Sequence, residues 1–284
     1  MGNKTIKIGN TSVGDGESVY VIAEVGINHD GDMKKAVKLV EEAKKSGANA
    51  VKLQTYITEY RVPKDHAVYG ILKQCELSHN DQKELFNLGK DLDITIFSTP
   101  FDNESVDFLE ELNNPVYKIA SFDSVNTKLL NKVSSTNKPV IMSTGMTSLE
   151  ELGVAWKALG GNDDGTGCDL ALLHCVSSYP LEDKRANLAI IQYLHSVHEG
   201  PVGYSDHTIG TQIPIFGVAA GASIIEKHFT LDSNSDGPDH SMSADPQTLS
   251  ELVDKIRWIE EILGKKDMKI RDAEEGSISY RRPC

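Results

Sequence analysis

Eight short apolar runs recur along the chain, and amphipathic segments separate them. We predict strands at Val19–Gly26, Ala50–Tyr56, Thr95–Phe101, Val116–Ser121, Pro139–Gly145, Leu170–Val176, Pro201–Asp206 and Ser223–Thr230. Helices are predicted between them, for example at Asp32–Ser46, Asp81–Leu92, Glu104–Leu112, Ser148–Leu159 and Gln247–Leu263. Eight β-then-α units in about 250 residues are typical of a (β/α)8 TIM barrel of the α/β class.

A doubly wound open sheet is the alternative fold. No GxGxxG motif follows the first predicted strand, and eight units exceed the roughly five or six that are usual for that fold. We therefore predict one TIM-barrel domain over residues 1–284. A short hairpin in residues 1–19 pairs Thr5–Gly9 with Glu17–Val19, the barrel occupies residues 20–263, and residues 264–284 form a C-terminal tail.

Net charge and cysteine content exclude several classes of protein. The formal charge is −13, from 29 basic and 42 acidic side chains, which argues against nucleic acid or an anionic membrane as the main partner. No apolar run approaches the length of a membrane span, and the N-terminus has no signal-peptide core. Cys75, Cys168, Cys175 and Cys284 show no CxxC spacing, so we expect reduced thiols in a cytoplasmic protein.

Polar residues end or follow every predicted strand, at the end where barrel enzymes place their active sites. In chain order they are Glu24 and Asn28; Lys52 and Gln54; Thr99; Lys118, Ser121 and Asp123; Ser143; His174 and Tyr179; Ser205, Asp206 and His207; and Glu226 and His228. A single buried lysine or histidine is usually structural, but eight strands with polar residues at the same end indicate a site.

Side-chain alternation assigns the faces of these strands. Lys52 and Gln54 share one face, as do Glu226 and His228, whereas Lys227 is expected to face the helices or solvent. The other histidines on loops or helices are expected to be structural, namely His29, His66, His79, His195 and His198, and His174 could support the floor of the pocket.

The residue types indicate the chemistry of the ligand. Two lysines with several hydroxyls suit a phosphate together with a carboxylate. His207 and His228 at the ends of adjacent strands can bind one divalent metal ion, and Asp239 can bind sugar hydroxyls. This combination favours carbon–carbon bond formation with phosphoenolpyruvate.

Several segments resemble the N-acetylneuraminate (sialic acid) synthase family from about Tyr20 to Leu263. They include "IAEVGINHDG", "FSTPFD", "YKIAS", "VIMSTGM", "GYSDHT", "EKHFT" and "GPDH". The resemblance implies a TIM barrel that uses Mn²⁺ or Mg²⁺. It also implies condensation of phosphoenolpyruvate with N-acetylmannosamine or a related amino sugar, which yields a nonulosonic acid and phosphate.

The resemblance also implies residue roles. His207 and His228 resemble metal ligands, and Glu24, Glu226, Lys52 and Lys118 resemble catalytic residues. The phosphoenolpyruvate contacts would be Lys52, Thr99, Lys118, Ser121, Ser143, Ser177 and Ser205. The sugar contacts would be Glu24, Gln54, Tyr179 and Asp239.

The chain departs from the family pattern at three points. Ala120 and Asp123 stand where many members have glycine and glutamate, and Ser177 stands where the bacterial enzyme has asparagine. Typical members continue into an antifreeze-like domain whose arginine reaches the sugar site of the partner. This chain stops at "SISYRRPC", so we expect that domain to be missing, with a homodimer or a separate antifreeze-like protein as candidate partners.

Two other functions remain open at this point. A synthase acting on a phosphorylated aldose would need an arginine cradle, and only Arg61 and Arg185 fall in strand-to-helix regions before the last strand. A non-catalytic carbohydrate-binding barrel is the second alternative.

Overall fold

A computed structural model describes residues 5–162, 167–265 and 267–282 of the chain. The strands are β1 (Thr5–Ile8) and β2 (Thr11–Gly14), followed by β3 (Tyr20–Glu24), β4 (Ala50–Thr55), β5 (Thr95–Pro100), β6 (Tyr117–Ile119), β7 (Val140–Ser143), β8 (Leu170–Cys175), β9 (Val202–Asp206) and β10 (Ile224–His228). Strands β3 to β10 are parallel, each pairs with the next, and β10 pairs with β3 to close a barrel. Every barrel strand lies within its predicted range, so the predicted (β/α)8 fold is confirmed.

Helices follow the barrel strands. They are α1 (Met33–Lys45), α2 (Thr58–Arg61), α3 (Tyr69–Cys75), α4 (His79–Asp91), α5 (Asn103–Glu111), α6 (Thr127–Ser134), α7 (Leu149–Ala158), α8 (Ala189–Val197), α9 (Gln212–Ala219) and α10 (Pro246–Leu263). Helix α4 begins two residues before its predicted start, because Ser78 and Asp81 form a reciprocal capping box. The short helices α2 and α3 lie in the connection between β4 and α4, for which we predict no element.

The N-terminal hairpin differs from the prediction. Strand β2 lies at Thr11–Gly14, and Ile8 pairs with Thr11 across the turn. Gly9, which has a φ of 58°, and Asn10 form this two-residue turn, so the chain reverses before the later glycines. The prediction of Glu17–Val19 as the second strand is therefore wrong.

The hairpin covers the N-terminal end of the barrel. Its side chains Ile6, Ile8 and Val13 are buried in one apolar cluster with residues at the beginning of the barrel strands, such as Tyr20 and Ile224. This end of the barrel is filled with apolar side chains. The polar residues that concern function therefore lie at the opposite, C-terminal end.

Two further sequence expectations concern the membrane and the thiols. In the described ranges, no helix combines the length and the apolar character that a bilayer span requires. Cys75, Cys168 and Cys175 are free thiols, and Cys284 lies outside the described residues.

Candidate active site

Strand register brings the predicted site residues to one level at the C-terminal end of the barrel. Glu24 on β3 lies opposite Lys52 on β4 and opposite His228 on β10. Ser205 on β9 lies opposite Glu226 on β10. Residues that are far apart in the sequence therefore form one continuous set of side chains around the barrel mouth.

Two lysines and two glutamates form a buried ionic cluster, which consists of Glu24, Lys52, Lys118 and Glu226. Lys52 Nζ lies 2.9 Å from Glu24 Oε2 and 3.5 Å from Glu226 Oε2. Lys118 Nζ lies 3.6 Å from Glu226 Oε1. No side chain in the cluster is more than 6% exposed. Two positive and two negative charges offset one another, which makes this burial tolerable.

The two glutamates of the ionic cluster differ in their protonation. Burial raises the pKa of Glu24 above its ordinary value, although the charge of Lys52 opposes the shift. Burial acts in the same direction on Glu226, but Lys118, Lys52 and the Ser205 hydroxyl outweigh it and lower the pKa of Glu226 to about 2. Glu24 is therefore the carboxyl group that holds a proton more readily, while Glu226 stays ionised.

Hydroxyl groups surround the two lysines. Lys52 Nζ donates to Thr99 Oγ1 at 3.2 Å, and Lys118 Nζ donates to Ser143 Oγ at 2.7 Å. Ser205 Oγ donates to Glu226 Oε1 at 2.8 Å. Burial lowers the pKa of Lys118, which the neighbouring carboxylate offsets only in part. An anionic ligand would therefore stabilise the charged form of this lysine.

Gly145 makes room for two more hydroxyl groups beside the ionic cluster. Its backbone N–H donates to Ser121 Oγ at 3.0 Å. A Cβ atom at this position would lie 2.5 Å from Ser177 Oγ and 2.8 Å from Ser121 Oγ. Within the described part of the chain, Ser177 Oγ is buried without a hydrogen-bond partner. A buried hydroxyl of this kind is a group that a phosphate or carboxylate oxygen can satisfy.

His207 and His228 lie side by side, with ring centroids 5.5 Å apart. His207 Nδ1 lies 2.8 Å from Val176 O, which assigns the proton to this nitrogen and leaves Nε2 available. His228 Nδ1 is buried and has no hydrogen-bond partner among the described residues, and Asp239 Oδ2 lies 3.8 Å from it. Tyr179 packs against His207 with ring centroids 4.1 Å apart.

The histidine pair fits a divalent metal ion. Burial and the charge of His207 hold the pKa of His228 well below its ordinary value of 6.5, so the imidazole is neutral at pH 7 and able to coordinate. The described residues contain no group of three or more His, Cys, Asp or Glu side chains arranged to hold an ion. Water or substrate oxygens would complete the coordination, as in catalytic metal sites with open positions.

The predicted sugar contacts converge on one space beside the ionic cluster. Gln54 Nε2 donates to Glu24 Oε1 at 3.1 Å. Gly26, which has a φ of 54°, borders the same space, because a Cβ atom there would lie 3.3 Å from Glu24 Oε1 and 3.8 Å from Asp239 Oδ2. Tyr179 is 42% exposed at the edge. These side chains can donate to and accept from hydroxyl groups.

Two residues in and around this space were not assigned from the sequence. Arg61 Nη1 donates to Gln54 Oε1 at 3.1 Å, and its guanidinium stacks on the Phe101 ring at 3.7 Å. His240 anchors the loop that carries Asp239, because its Nδ1 lies 2.6 Å from Thr230 Oγ1. The only sequence signal for Arg61 is its position after a barrel strand, and for His240 its place in the "GPDH" segment.

Lys227 is turned away from the ionic cluster, as its parity predicts. It is fully buried and lies 2.7 Å from Asp206 Oδ2, and it also donates to the carbonyl of Thr208. The alternative that it faces solvent is therefore wrong. The pair instead links β9 to β10 behind the site.

The remaining histidines make local contacts. His174 Nε2 lies 2.7 Å from Ala186 O and the ring stacks on Tyr204, so it supports the wall of the barrel. His29, His66, His79, His195 and His198 contact nearby backbone or aromatic groups. These contacts fit the structural role that we predict for them.

Comparison with known proteins identifies relatives of this barrel. The sequence profile of the NeuB family matches residues 39–268. An uncharacterised protein of Methanocaldococcus jannaschii is 48% identical over 260 residues, which cover 91% of this chain and 76% of that protein. The N,N'-diacetyllegionaminic acid synthase of Legionella pneumophila is 40% identical over 276 residues, which cover 92% of this chain and 78% of that enzyme.

A solved structure shows the same architecture. The crystal structure of an N-acetylneuraminic acid (sialic acid) synthetase from Leptospira borgpetersenii, in complex with citrate, is 37% identical in sequence. It matches this structure with a TM-score of 0.94 over 98% of this chain and 96% of that chain.

Proposed function

The chain belongs to the NeuB family, and from that premise we propose that it condenses phosphoenolpyruvate with an N-acetylhexosamine-type aldose such as N-acetylmannosamine. The products would be a nonulosonic acid and inorganic phosphate. The observation that carries the proposal is the buried ionic cluster beside a pair of histidines, of which His228 has a ring nitrogen without a hydrogen-bond partner among the described residues. The names of the Legionella and Leptospira relatives, synthases of two nonulosonic acids, support the same reaction class.

Phosphoenolpyruvate would bind at the two lysines. Its phosphate and carboxylate require cations and hydroxyl donors at short range, and Lys52 and Lys118 lie among the hydroxyls of Thr99, Ser143 and Ser205. The hydroxyl groups of Ser121 and Ser177, which both lie close to the position that a Cβ atom of residue 145 would take, would complete the site.

The charge balance implies two further requirements. The ionic cluster is already neutral without substrate, so a substrate with a phosphate and a carboxylate adds uncompensated negative charge. Protonation of Glu24 removes one negative charge, in agreement with its raised pKa. A divalent cation at His207 and His228 would offset more of it. Lewis acidity toward the aldehyde oxygen of the acceptor is what Mn²⁺ or Mg²⁺ would supply there.

The reaction follows from the polarity of the two substrates. The enol π electrons of phosphoenolpyruvate form a bond from C3 to the aldehyde carbon, which leaves cationic character at C2. Water adds at C2 and loses one proton, the bond from C2 to the phosphate oxygen then breaks, and the remaining hydroxyl proton passes to the departing phosphate. Inorganic phosphate leaves, and C2 becomes the ketone of the new keto acid.

Glu24 and Glu226 have different roles in this scheme. Glu24 is the proton carrier, because it is the carboxyl group with the raised pKa, and it would protonate the oxygen that develops from the aldehyde. Glu226 stays ionised between Lys118 and Lys52, and its negative charge would stabilise the cationic character at C2. Gln54, Tyr179 and Asp239 would hold acceptor hydroxyls next to Glu24.

The same proposal extends to partners and location. Phe122, Met146 and Tyr179 are exposed by 62%, 62% and 42% in loops that follow barrel strands. A second copy of the chain or a separate antifreeze-like domain would cover such an apolar rim. The buried free thiols Cys75 and Cys175 fit the reducing cytoplasm.

Phosphate release tests the proposed function. We expect purified protein with Mn²⁺ to release phosphate from phosphoenolpyruvate only after an N-acetylhexosamine is added. A phosphorylated aldose in place of the N-acetylhexosamine tests the second enzyme class. If a folded protein releases no phosphate with either acceptor, the result would favour the non-catalytic carbohydrate-binding barrel.

A methyl group at Gly145 is expected to obstruct the phosphoenolpyruvate site. In Gly145→Ala the new Cβ would overlap Ser177 Oγ and Ser121 Oγ. Overpacking of this kind costs about 1–3 kcal/mol, so the KM for phosphoenolpyruvate should rise by roughly 5- to 150-fold if the substrate must be displaced at this cost. Gly153→Ala is the matched control, because a Cβ atom there meets nothing within 4 Å. Equal KM values in the two variants would show that Gly145 does not border the substrate.

A further inference from the structure

A buried ion pair lies directly behind the two histidines of the proposed metal site. Lys227 on β10 lies opposite Asp206 on β9, and this is the last pair of residues in the register of the two strands. The residue that follows each of them is a proposed metal ligand, His228 or His207. Because successive side chains of a strand point to opposite faces, the ion pair and the two imidazoles lie on opposite sides of the same strand ends.

The contacts of the ion pair enclose the backbone of His207. Lys227 Nζ lies 2.7 Å from Asp206 Oδ2, and it also donates to the carbonyl of Thr208. Asp206 Oδ1 accepts from the backbone N–H of Thr208 at 3.0 Å and from its hydroxyl at 2.8 Å. One ammonium group of β10 therefore binds both the residue before His207 and the residue after it.

Stability alone does not explain two charges at this position. Neither side chain of the ion pair is exposed to solvent. Desolvation offsets much of the attraction between such charges, and apolar side chains of similar volume often stabilise a fold equally well. Hydrogen bonds are directional, however, so the bonds from Lys227 to Asp206 and Thr208 fix one arrangement of the two strand ends.

The proposed metal site depends on that arrangement. The ring centroids of His207 and His228 lie 5.5 Å apart, and the described residues contain no larger group of ligand side chains that could hold the ion instead. His207 Nδ1 is oriented by Val176 O at 2.8 Å, whereas His228 Nδ1 has no hydrogen-bond partner among the described residues. The position of the His228 ring is therefore set by its backbone, which directly follows Lys227.

We propose that Lys227 and Asp206 are positioning residues for the divalent metal ion. The ion pair holds the backbone of His207 and that of His228 at the separation at which both imidazoles bind one ion. Neither member of the pair takes part in a step of the proposed reaction. The inference rests on the proposed function, because it concerns the metal site formed by those two histidines.

The test uses the double variant Lys227→Met/Asp206→Asn. Replacement of one partner alone would leave the other charge buried and uncompensated, which strongly destabilises a fold. The double variant removes both charges, and the asparagine keeps an oxygen that can accept from the Thr208 N–H. We expect a Tm close to that of wild type but a Kd for Mn²⁺ that is roughly 10- to 100-fold higher, the usual effect of removing groups that orient metal ligands.

Mn²⁺ binding is measured by calorimetry, and the electron paramagnetic resonance spectrum of bound Mn²⁺ should differ from that of wild type. In the phosphate-release assay, the Mn²⁺ concentration that gives half-maximal activity should rise by the same factor. A purely structural role would change the Tm but not the Mn²⁺ affinity of the folded molecules. Lys138→Met is the matched control, because Lys138 pairs with Glu110 at the same distance of 2.7 Å but precedes β7, at the other end of the barrel. This control should bind Mn²⁺ as wild type does.

Two results would overturn the inference. One is an equal Kd for Mn²⁺ in wild type and in the folded double variant. The other is a double variant that does not fold, since the ion pair would then act on the stability of the barrel. Absence of Mn²⁺ binding by wild type would instead contradict the metal site of the proposed function, and the inference would fall with it.

Discussion

Replacing Lys118 with methionine is expected to reduce kcat/KM for phosphoenolpyruvate by roughly 30- to 5,000-fold, the equivalent of about 2–5 kcal/mol. Lys118 is 2% exposed, donates to Ser143 Oγ and lies 3.6 Å from Glu226 Oε1. Methionine keeps the length and apolar character of the chain but removes the charge. The substrate anion would lose a buried cation, and Glu226 would lose one of its two counter-charges.

The measurement is a titration of phosphoenolpyruvate in the phosphate-release assay, with Tm values to confirm that the variant folds. Lys128→Met is the matched control, because Lys128 is exposed on α6 and should behave as wild type. The acceptor KM of Lys118→Met should change much less than that of phosphoenolpyruvate. Unchanged kinetics in a folded Lys118→Met protein would mean that this lysine stabilises the barrel and does not bind the substrate.

Replacing His228 with alanine is expected to abolish metal binding and to lower activity by at least about 100-fold. His207 would be the one imidazole left, and no other group of described side chains forms an alternative site. Removal of the metal from wild type with a chelator should give the same loss. Addition of Mn²⁺ or Mg²⁺ should restore the wild-type protein but not the variant.

Metal binding is measured directly by calorimetry or by the electron paramagnetic resonance signal of Mn²⁺, so the result does not depend on activity alone. His66→Ala, which alters an exposed loop histidine, is the control and should bind Mn²⁺ as wild type does. Full activity in metal-free protein, or Mn²⁺ binding by His228→Ala with wild-type affinity, would contradict the assignment of the histidine pair.

The barrel could be predicted because its determinants are local and repeated. Each strand is a short apolar run with a polar residue at its C-terminal end, and Asp32 and Asp245 cap the helices that follow β3 and β10. The positions of Lys52 and Glu226 in the site follow from the same alternation. The prediction of the second hairpin strand is wrong because two glycine-containing segments follow the first strand and either could form the turn. The chain reverses at the first of them, Gly9–Asn10, which gives the shorter hairpin.

The parts of the site that the sequence does not predict depend on contacts between distant segments. Arg61 lies in a connection without periodicity, and its position over the site depends on stacking against Phe101 from β5. The different protonation of Glu24 and Glu226 arises because two lysines and the Ser205 hydroxyl surround Glu226, whereas one lysine lies beside Glu24, and no sequence pattern encodes this difference. Charge distances of this kind require the folded barrel.

The central claim is that this barrel joins the carbons of phosphoenolpyruvate to an acylamino aldose. The most direct test is mass spectrometry of the product formed from ¹³C-labelled phosphoenolpyruvate, the preferred acceptor and Mn²⁺. We predict one new keto acid that contains every labelled carbon together with the intact acceptor, formed in equal amount with phosphate. Labelled pyruvate accompanied by unchanged acceptor would show that the site only hydrolyses phosphoenolpyruvate and would contradict the account.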